Sequence, residues 1–71
     1  PKEVCAFGEI GLTGEVRPVM RADKRVAECV RLGAKKIYLP QKNMDAVKKY
    51  ADKVTLVPVK HIYAAVKELF G

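Results

Sequence analysis

Residues 4–19 show the pattern of a β-hairpin. Residues 4–10 are mostly apolar, and a Gly- and Thr-containing turn separates them from a second alternating stretch at 15–19. Gly14 is the expected position of a positive φ angle, because a side chain would clash there. Pro18 cannot donate a hydrogen bond within a sheet, so the second strand should be short or lie at an edge.

After the hairpin, helical and extended patterns alternate. Residues 22–32 have apolar side chains at helical spacing, and Gly33 follows where a left-handed residue ends a helix. A strand at 36–39 stops at Pro40. Asn43 is then placed to cap a second helix through its side chain.

The last third of the chain predicts one more strand and one more helix. The run 54–59 is β-branched, and Pro58 indicates a strand end or an edge strand. The final helix carries apolar residues on one side: Ile62, Val66, Leu69 and Phe70. The order ββαβαβα predicts a mixed α/β fold in which the helix-connected strands are parallel, and residues 1–71 form a single domain.

Composition adds a charge argument. Fourteen Lys and Arg against eight Asp and Glu give a net charge of +6 and a pI near 9.6, which favours a polyanionic partner such as DNA. No apolar run approaches the length of a membrane helix and no signal pattern is present, so we expect a soluble, cytoplasmic protein with no membrane partner. The chain begins with Pro1 rather than Met, from which we expect an excised piece of a larger protein.

The basic residues of the first helix and its flanks are the candidate DNA-backbone ligands. Arg21 and Arg25 are like charges four residues apart, an arrangement that becomes favourable only with an anion nearby. The alternative is a solvated helix face, in which Lys24 pairs with Glu28. The candidate set is Arg17, Arg21, Lys24, Arg25, Arg31 and Lys35.

Two other sets of residues are interpreted as non-functional. Lys48, Lys49 and Lys53 are attributed to solubility. The three tyrosines, Tyr38, Tyr50 and Tyr63, lie in core-pattern elements, so stacking on single-stranded bases is not expected and DNA binding should show little sequence preference.

No catalytic, cofactor-binding or metal-binding residue is predicted. Cys5 and Cys29 lack a second Cys or His at metal spacing and are interpreted as reduced and buried. His61, with no Ser or acidic partner at motif spacing, is interpreted as a helix-start residue. The glycines of the hairpin lack the strand–loop–helix context of a phosphate-binding loop.

The stretch from Phe7 to Val19 resembles a signature shared by Lon-type protease domains and their non-proteolytic relatives. The similarity continues through Arg25–Glu28, Leu32–Lys36 and the terminal strand and helix, so that it covers nearly the whole chain. It is nearest to the C-terminal domain of the RadA/Sms family of bacterial DNA repair proteins. In this signature Glu9 is expected to accept hydrogen bonds from nearby backbone groups.

This resemblance implies a domain without protease activity. Counted from Gly8, the general-base Lys of Lon proteases falls on Arg25, whose guanidinium stays protonated and cannot take a proton from a serine. The chain also contains no Ser. A fragment of a Lon-type serine protease, or of a ComM-like magnesium-chelatase-family protein, is the alternative.

The resemblance further implies that the parent protein carries a zinc finger and a RecA-like ATPase core, with Zn, ATP and Mg bound outside this chain. Neither module is present in residues 1–71. The parent is expected to form a ring, a hexamer, in which this domain contributes to assembly and contacts the DNA backbone. Because a Lon-like sheet continues before the hairpin, we expect the isolated chain to self-associate through the hairpin edge or the first strand.

Overall fold

The computed structural model describes residues 3–70 of the chain, and their side chains up to residue 68. Its strands and helices confirm the mixed α/β class. The strands are β1 (Val4–Ala6), β2 (Glu9–Ile10), β3 (Val16–Arg17), β4 (Lys36–Pro40) and β5 (Thr55–Val59). The helices are α1 (Ala22–Arg31), α2 (Met44–Val47) and α3 (Ile62–Phe70), and single 3-10 turns flank α2 at Gln41–Asn43 and Lys48–Tyr50.

The central sheet is parallel, with strand order β1-β4-β5. Cys5 pairs with Ile37, and Leu39 pairs with Pro58 on the other side of β4. The predicted parallel arrangement of helix-connected strands is therefore confirmed. Pro58 lies on β5, an edge strand of the described sheet, as expected for a residue that has no N–H to donate.

The first predicted strand, residues 4–10, is in fact two strands with different partners. Phe7 N–H still donates to the Tyr38 carbonyl (3.1 Å), after which the chain leaves the parallel sheet. Ile10 then pairs antiparallel with Val16 in a separate two-stranded hairpin. A mostly apolar stretch such as residues 4–10 is compatible with one long strand or with two short ones, so the pattern alone did not show the break.

The hairpin turn agrees with the prediction. Gly14 has φ 86° and donates its N–H to the Gly11 carbonyl at 3.0 Å. A Cβ at Gly14 would lie 2.5 Å from the His61 ring, so a side chain is excluded there by space as well as by conformation. Strand β3 ends at Arg17, immediately before Pro18, and is short as expected.

The hydrophobic core lies between the parallel sheet and helices α1 and α2. Val26 of α1, Ile37 of β4 and Val47 of α2 are fully buried there. Helix α1 ends one residue earlier than predicted, and Gly33 takes a φ of 93° after it. The core cluster comprises Ala22, Val26, Ala34, Ile37, Leu39, Val47 and Val54.

Asn43 does not cap α2, and that prediction is wrong. Its side chain makes no capping hydrogen bond. Instead its Oδ1 accepts the Val19 N–H (2.9 Å) and its Nδ2 donates to the Val19 carbonyl (3.1 Å). Asn43 is 8% exposed, and its amide pairs with both backbone polar groups of the half-buried Val19. This contact fixes the segment that enters α1.

The apolar residues of helix α3 are less buried than its apolar pattern predicted. Ile62 is half-buried, but Val66 is exposed. The Leu69 and Phe70 side chains lie outside the described residues. Tyr63 was predicted in the core and is 73% exposed, so that prediction is wrong. A helix with its apolar residues on more than one face cannot bury all of them against one small sheet.

Candidate nucleic-acid interface

Helix α1 begins at an unusual backbone position. Arg21 precedes the helix with φ 57° and ψ 42°, and it is the one non-glycine residue with positive φ among residues 3–70. Its carbonyl accepts the N–H groups of Lys24 and Arg25, both at 3.1 Å. Val19 before it is pinned by Asn43. A left-handed L-residue costs about 1–2 kcal/mol, and fixed neighbours on either side account for its persistence.

An open recess of about 770 Å³ lies between the start of α1 and the end of β1. We call it the basic recess. Arg21, Lys24 and Arg25 line it, and none of the three forms an ion pair within 4.0 Å in the part of the chain that the structure describes. Its full lining is Cys5, Ala6, Phe7, Met20, Arg21, Lys24, Arg25, Glu28 and Cys29.

Glu28 is the single carboxylate among the lining residues, and it forms an ion pair with Arg31. Arg31 Nε donates to Glu28 Oε2 at 3.0 Å, and Nη2 contacts Oε1. This hydrogen bond lowers the pKa of Glu28 and raises that of Arg31. The Lys24–Glu28 pair of the alternative interpretation is not formed, because the guanidinium of Arg31 reaches both carboxylate oxygens from one turn along the helix. Among the described residues, Lys24 is left without a carboxylate partner.

The six candidate cations therefore divide into two groups. Arg21, Lys24 and Arg25 come together in the basic recess. The other three are paired with carboxylates: Arg17 with Glu15 (3.7 Å), Lys35 with Glu3 (3.7 Å) and Arg31 with Glu28. Exposed pairs of this kind contribute little to stability, but they reduce the net positive charge that a phosphate would meet.

Two uncharged residues of the recess were missed in the sequence. The Arg25 guanidinium lies 5.9 Å from the centroid of the Phe7 ring, and its Nε donates to the Met20 carbonyl at 3.5 Å. The Met20 side chain is 85% exposed. The sequence signal that could have identified Phe7 is its place at the end of a strand, beside a glycine at which the chain leaves the sheet.

The two cysteines share a wall of the basic recess. Both are free and half-buried rather than buried, which corrects the prediction. Burial, followed by a hydrogen bond with Cys5, raises the pKa of Cys29 to about 11. Among the described residues, no group of three or more His, Cys, Asp or Glu side chains is arranged to hold a metal ion.

His61 joins the hairpin to α3. Its Nδ1 accepts the Tyr63 N–H (3.1 Å), so the proton of the neutral ring lies on Nε2, which donates to the Thr13 carbonyl (2.7 Å). The predicted position at the start of a helix is confirmed, and both ring nitrogens are used in holding the turn against that helix.

The backbone-bonding role predicted for Glu9 belongs to a different carboxylate. No side-chain hydrogen bond involves Glu9 within residues 3–70, and Glu9 is exposed. Glu15 accepts from Thr13 N–H (3.2 Å) and Thr13 Oγ1 (2.9 Å) instead. The hydrogen bond from the Thr13 side chain is the main cause of the lowered pKa of Glu15. Within the hairpin turn, the carboxylate that accepts a backbone hydrogen bond is therefore that of Glu15 and not that of Glu9.

Comparison with known proteins confirms the resemblance seen in the sequence. Residues 1–71 match the family described as Lon protease (S16) C-terminal proteolytic domain. The chain belongs to this family. Within the described residues, no helix of this family member is both long enough and apolar enough to cross a membrane.

Curated relatives of the chain are named DNA repair protein RadA. The protein from Aquifex aeolicus is 39% identical over 70 residues, which cover 99% of this chain and 15% of the relative. The Listeria monocytogenes protein is 44% identical over 64 residues (90% and 14%), and the Streptococcus pneumoniae protein 36% identical over 71 residues (100% and 16%). The chain thus spans about 15% of the length of these relatives.

Proposed function

We propose that this chain is a non-proteolytic module of a RadA-type DNA repair ATPase, and that it binds the DNA backbone through Arg21, Lys24 and Arg25. The observation that carries the proposal is the collection of three cations without an ion-pair partner, among the described residues, in one recess. A cation cluster of this kind suits backbone phosphates, which carry no sequence information, so binding is weak in sequence preference.

The charges of these cations repel one another in the free protein. Arg21 and Arg25 are like charges at the start of a helix, where the helix dipole disfavours cations. Asp23 is acidic and lies in the same helical turn, yet no ion pair joins it to them among the described residues. An arrangement that is unfavourable in the free protein becomes favourable when phosphates supply the missing negative charge.

The proposal excludes peptidase and ATPase activity for the chain itself. The chain has no Ser, and Arg25 stands where the Lon resemblance implies a general base. The relatives are named as DNA repair proteins rather than proteases. We expect no turnover of casein or ATP by the purified chain. Peptidase turnover that survives rigorous purification would support a Lon-type protease fragment instead. ATP hydrolysis, with Zn and Mg binding, is assigned to other parts of a parent that acts in the bacterial cytoplasm.

A role in ring assembly forms the second part of the proposal. Strand β1 lies at the edge of the described sheet, so one side of it has no strand partner there. The hairpin residues Ile10 and Leu12 and helix residue Tyr63 are large, apolar and exposed. Edges and apolar side chains of this kind are typical of surfaces that pair with another chain or domain. Sedimentation of the chain at high micromolar concentration tests this, and a strict monomer contradicts self-association.

The DNA-binding part is tested by fluorescence anisotropy with a short labelled duplex of mixed sequence at several salt concentrations. Replacing both Arg21 and Arg25 with Ala should weaken binding by about tenfold at about 50 mM salt. The slope of log K against log salt should fall in magnitude by about 1.8, roughly 0.9 for each phosphate that the variant no longer neutralises.

The matched control replaces two paired cations, Arg17→Ala with Lys35→Ala, and makes the same change in net charge. This variant should bind with nearly the wild-type slope, because its cations are already engaged by carboxylates, Glu15 and Glu3, that do not line the basic recess. Equal losses in the two variants would mean that net charge alone drives binding. An unchanged slope in the first variant would remove the basic recess from the interface.

A further inference from the structure

We infer that Phe7 is a positioning residue for Arg25: its ring holds the guanidinium so that the free end of the fork faces the basic recess and takes one backbone phosphate. The inference deepens the proposed function and rests on it. Phe7 carries no charge of its own to offer DNA, so its contribution is through Arg25 alone.

The Phe7 side chain occupies a fixed place. Its N–H bonds to the Tyr38 carbonyl at 3.1 Å, which holds the residue in line with β1 as the chain leaves the sheet. The ring is half-buried and packs against the core cluster. Because both backbone and ring are held, Phe7 offers a rigid face at the edge of the recess.

Arg25 uses that face while keeping its terminal donors free. The guanidinium lies within cation–π range of the ring, at 5.9 Å, and the Nε bonds to the Met20 carbonyl at 3.5 Å. The first contact is measured at the guanidinium carbon, and the second uses the inner nitrogen, Nε. The two outer nitrogens of the fork, which suit bidentate phosphate binding, meet no carboxylate within 4.0 Å in residues 3–70.

Arg31 shows the contrasting case of an arginine that is paired within the protein. Its Nε and Nη2 both donate hydrogen bonds to Glu28, so these two donors already have a partner within the protein. Arg25 has an aromatic ring where Arg31 has a carboxylate. The ring orders the guanidinium without neutralising it, which is the requirement for a pre-organised phosphate ligand.

The test is a double-mutant cycle on duplex DNA affinity with Phe7→Leu and Arg25→Ala in the 71-residue chain. Phe7→Leu keeps an apolar side chain but removes the ring, and should weaken binding roughly two- to fivefold. In the Arg25→Ala background the same change should cost no further affinity. Phe7→Tyr, which retains the ring, should recover most of the loss. Thermal unfolding checks that each variant is folded, and Phe7→Met replaces Phe7→Leu if the latter is not.

A matched control exists in the same chain. Lys49 lies 5.5 Å from the centroid of the Tyr50 ring, a similar cation–π contact between two residues that do not line the recess. Tyr50→Leu should leave DNA affinity unchanged.

The outcomes separate the two proposals. Additive losses from Phe7→Leu and Arg25→Ala overturn the positioning role while leaving Arg25 as a phosphate ligand. A loss in Tyr50→Leu equal to that in Phe7→Leu also overturns it, because general destabilisation then explains both. If Arg25→Ala alone binds DNA as tightly as the wild type, Arg25 is no ligand and the proposed function fails at this residue.

Discussion

The two ends of helix α1 carry the same kind of cation in opposite surroundings. At the N-terminal end, Arg21 and Arg25 line an open recess without a carboxylate partner in the described residues. At the C-terminal end, Arg31 binds Glu28, and Lys35 just beyond the helix lies 3.7 Å from Glu3. Composition treats all four alike, but in the described part of the chain only the last two are paired with a carboxylate.

The helix dipole sharpens this difference. A cation near the C-terminus of a helix is stabilised by the helix dipole and one near the N-terminus is not. Arg31 therefore has both a favourable dipole and a carboxylate partner, whereas Arg21 has neither among the described residues. Arg21 also has the left-handed backbone conformation. A surface that is unfavourable for the free fold on several counts is a better candidate for binding than a surface whose charges are already balanced.

The largest expected effect concerns how the N-terminal end of α1 is held. Asn43→Ala should lower the free energy of unfolding by about 1–3 kcal/mol, because the Val19 N–H and carbonyl lose their partners. Urea unfolding measures the loss, and hydrogen exchange should show faster exchange of the Val19 amide. Gln41→Ala, an exposed change in the neighbouring turn, is the control. A loss no larger than that of the control would mean that the Asn43 contact is not needed.

The same substitution at the two ends of α1 should act with opposite sign. Arg21→Gly relieves the left-handed conformation and should raise the free energy of unfolding by about 0.5–1 kcal/mol after the entropic cost of glycine is subtracted. Arg31→Gly has no such strain to relieve and loses the ion pair with Glu28, so it should lower stability. Thermal unfolding of both variants is the measurement. Destabilisation by both would show that the Arg21 backbone is not strained.

Freeing a cation at the C-terminal end should make that end resemble the other. Glu28→Gln releases Arg31 and removes the one carboxylate among the residues that line the basic recess. Duplex affinity in the anisotropy assay should rise roughly two- to threefold. Glu68→Gln on α3 makes the same change in net charge elsewhere and should have a smaller effect. Equal gains would indicate that the total charge, rather than its local pairing, sets affinity.

The smallest effect is a pH dependence of the paired end. The hydrogen bond from Arg31 lowers the pKa of Glu28 below its ordinary value of 4.5. Its contribution to stability is therefore present above that ordinary value and is lost as pH falls through the lowered pKa of the folded state. In NMR titrations, Arg31→Ala should raise the pKa of Glu28. The pKa of Glu15, which is lowered mainly by Thr13, should not move. An unshifted Glu28 would show that the pair does not persist in solution.

Local signals predicted most of the individual elements. The helix predicted at 22–32 is observed at Ala22–Arg31, and the strand predicted at 36–39 is observed at Lys36–Pro40. Glycine and proline mark these boundaries, because their backbone restrictions act on a few adjacent residues and need no distant partner. Three predictions failed in the fold: the unbroken first strand, the Asn43 cap and the core position of Tyr63. The first two depended on a partner far away in the chain.

The sequence by itself determined the mixed α/β class, the family resemblance, the positive charge and the set of six candidate cations. Only the tertiary structure decided which of those cations are paired with carboxylates. Two of the three ion pairs, Arg17–Glu15 and Arg31–Glu28, join near neighbours in sequence, but spacing alone did not distinguish Arg31 from Lys24 as the partner of Glu28. The other contacts join residues that are remote in sequence: Lys35 meets Glu3 because both flank paired strands, and Phe7 reaches Arg25 because β1 ends beside the start of α1. Electrostatic and aromatic contacts are strong only over a few ångströms, and the packing of the strands and helices sets the distances between the side chains.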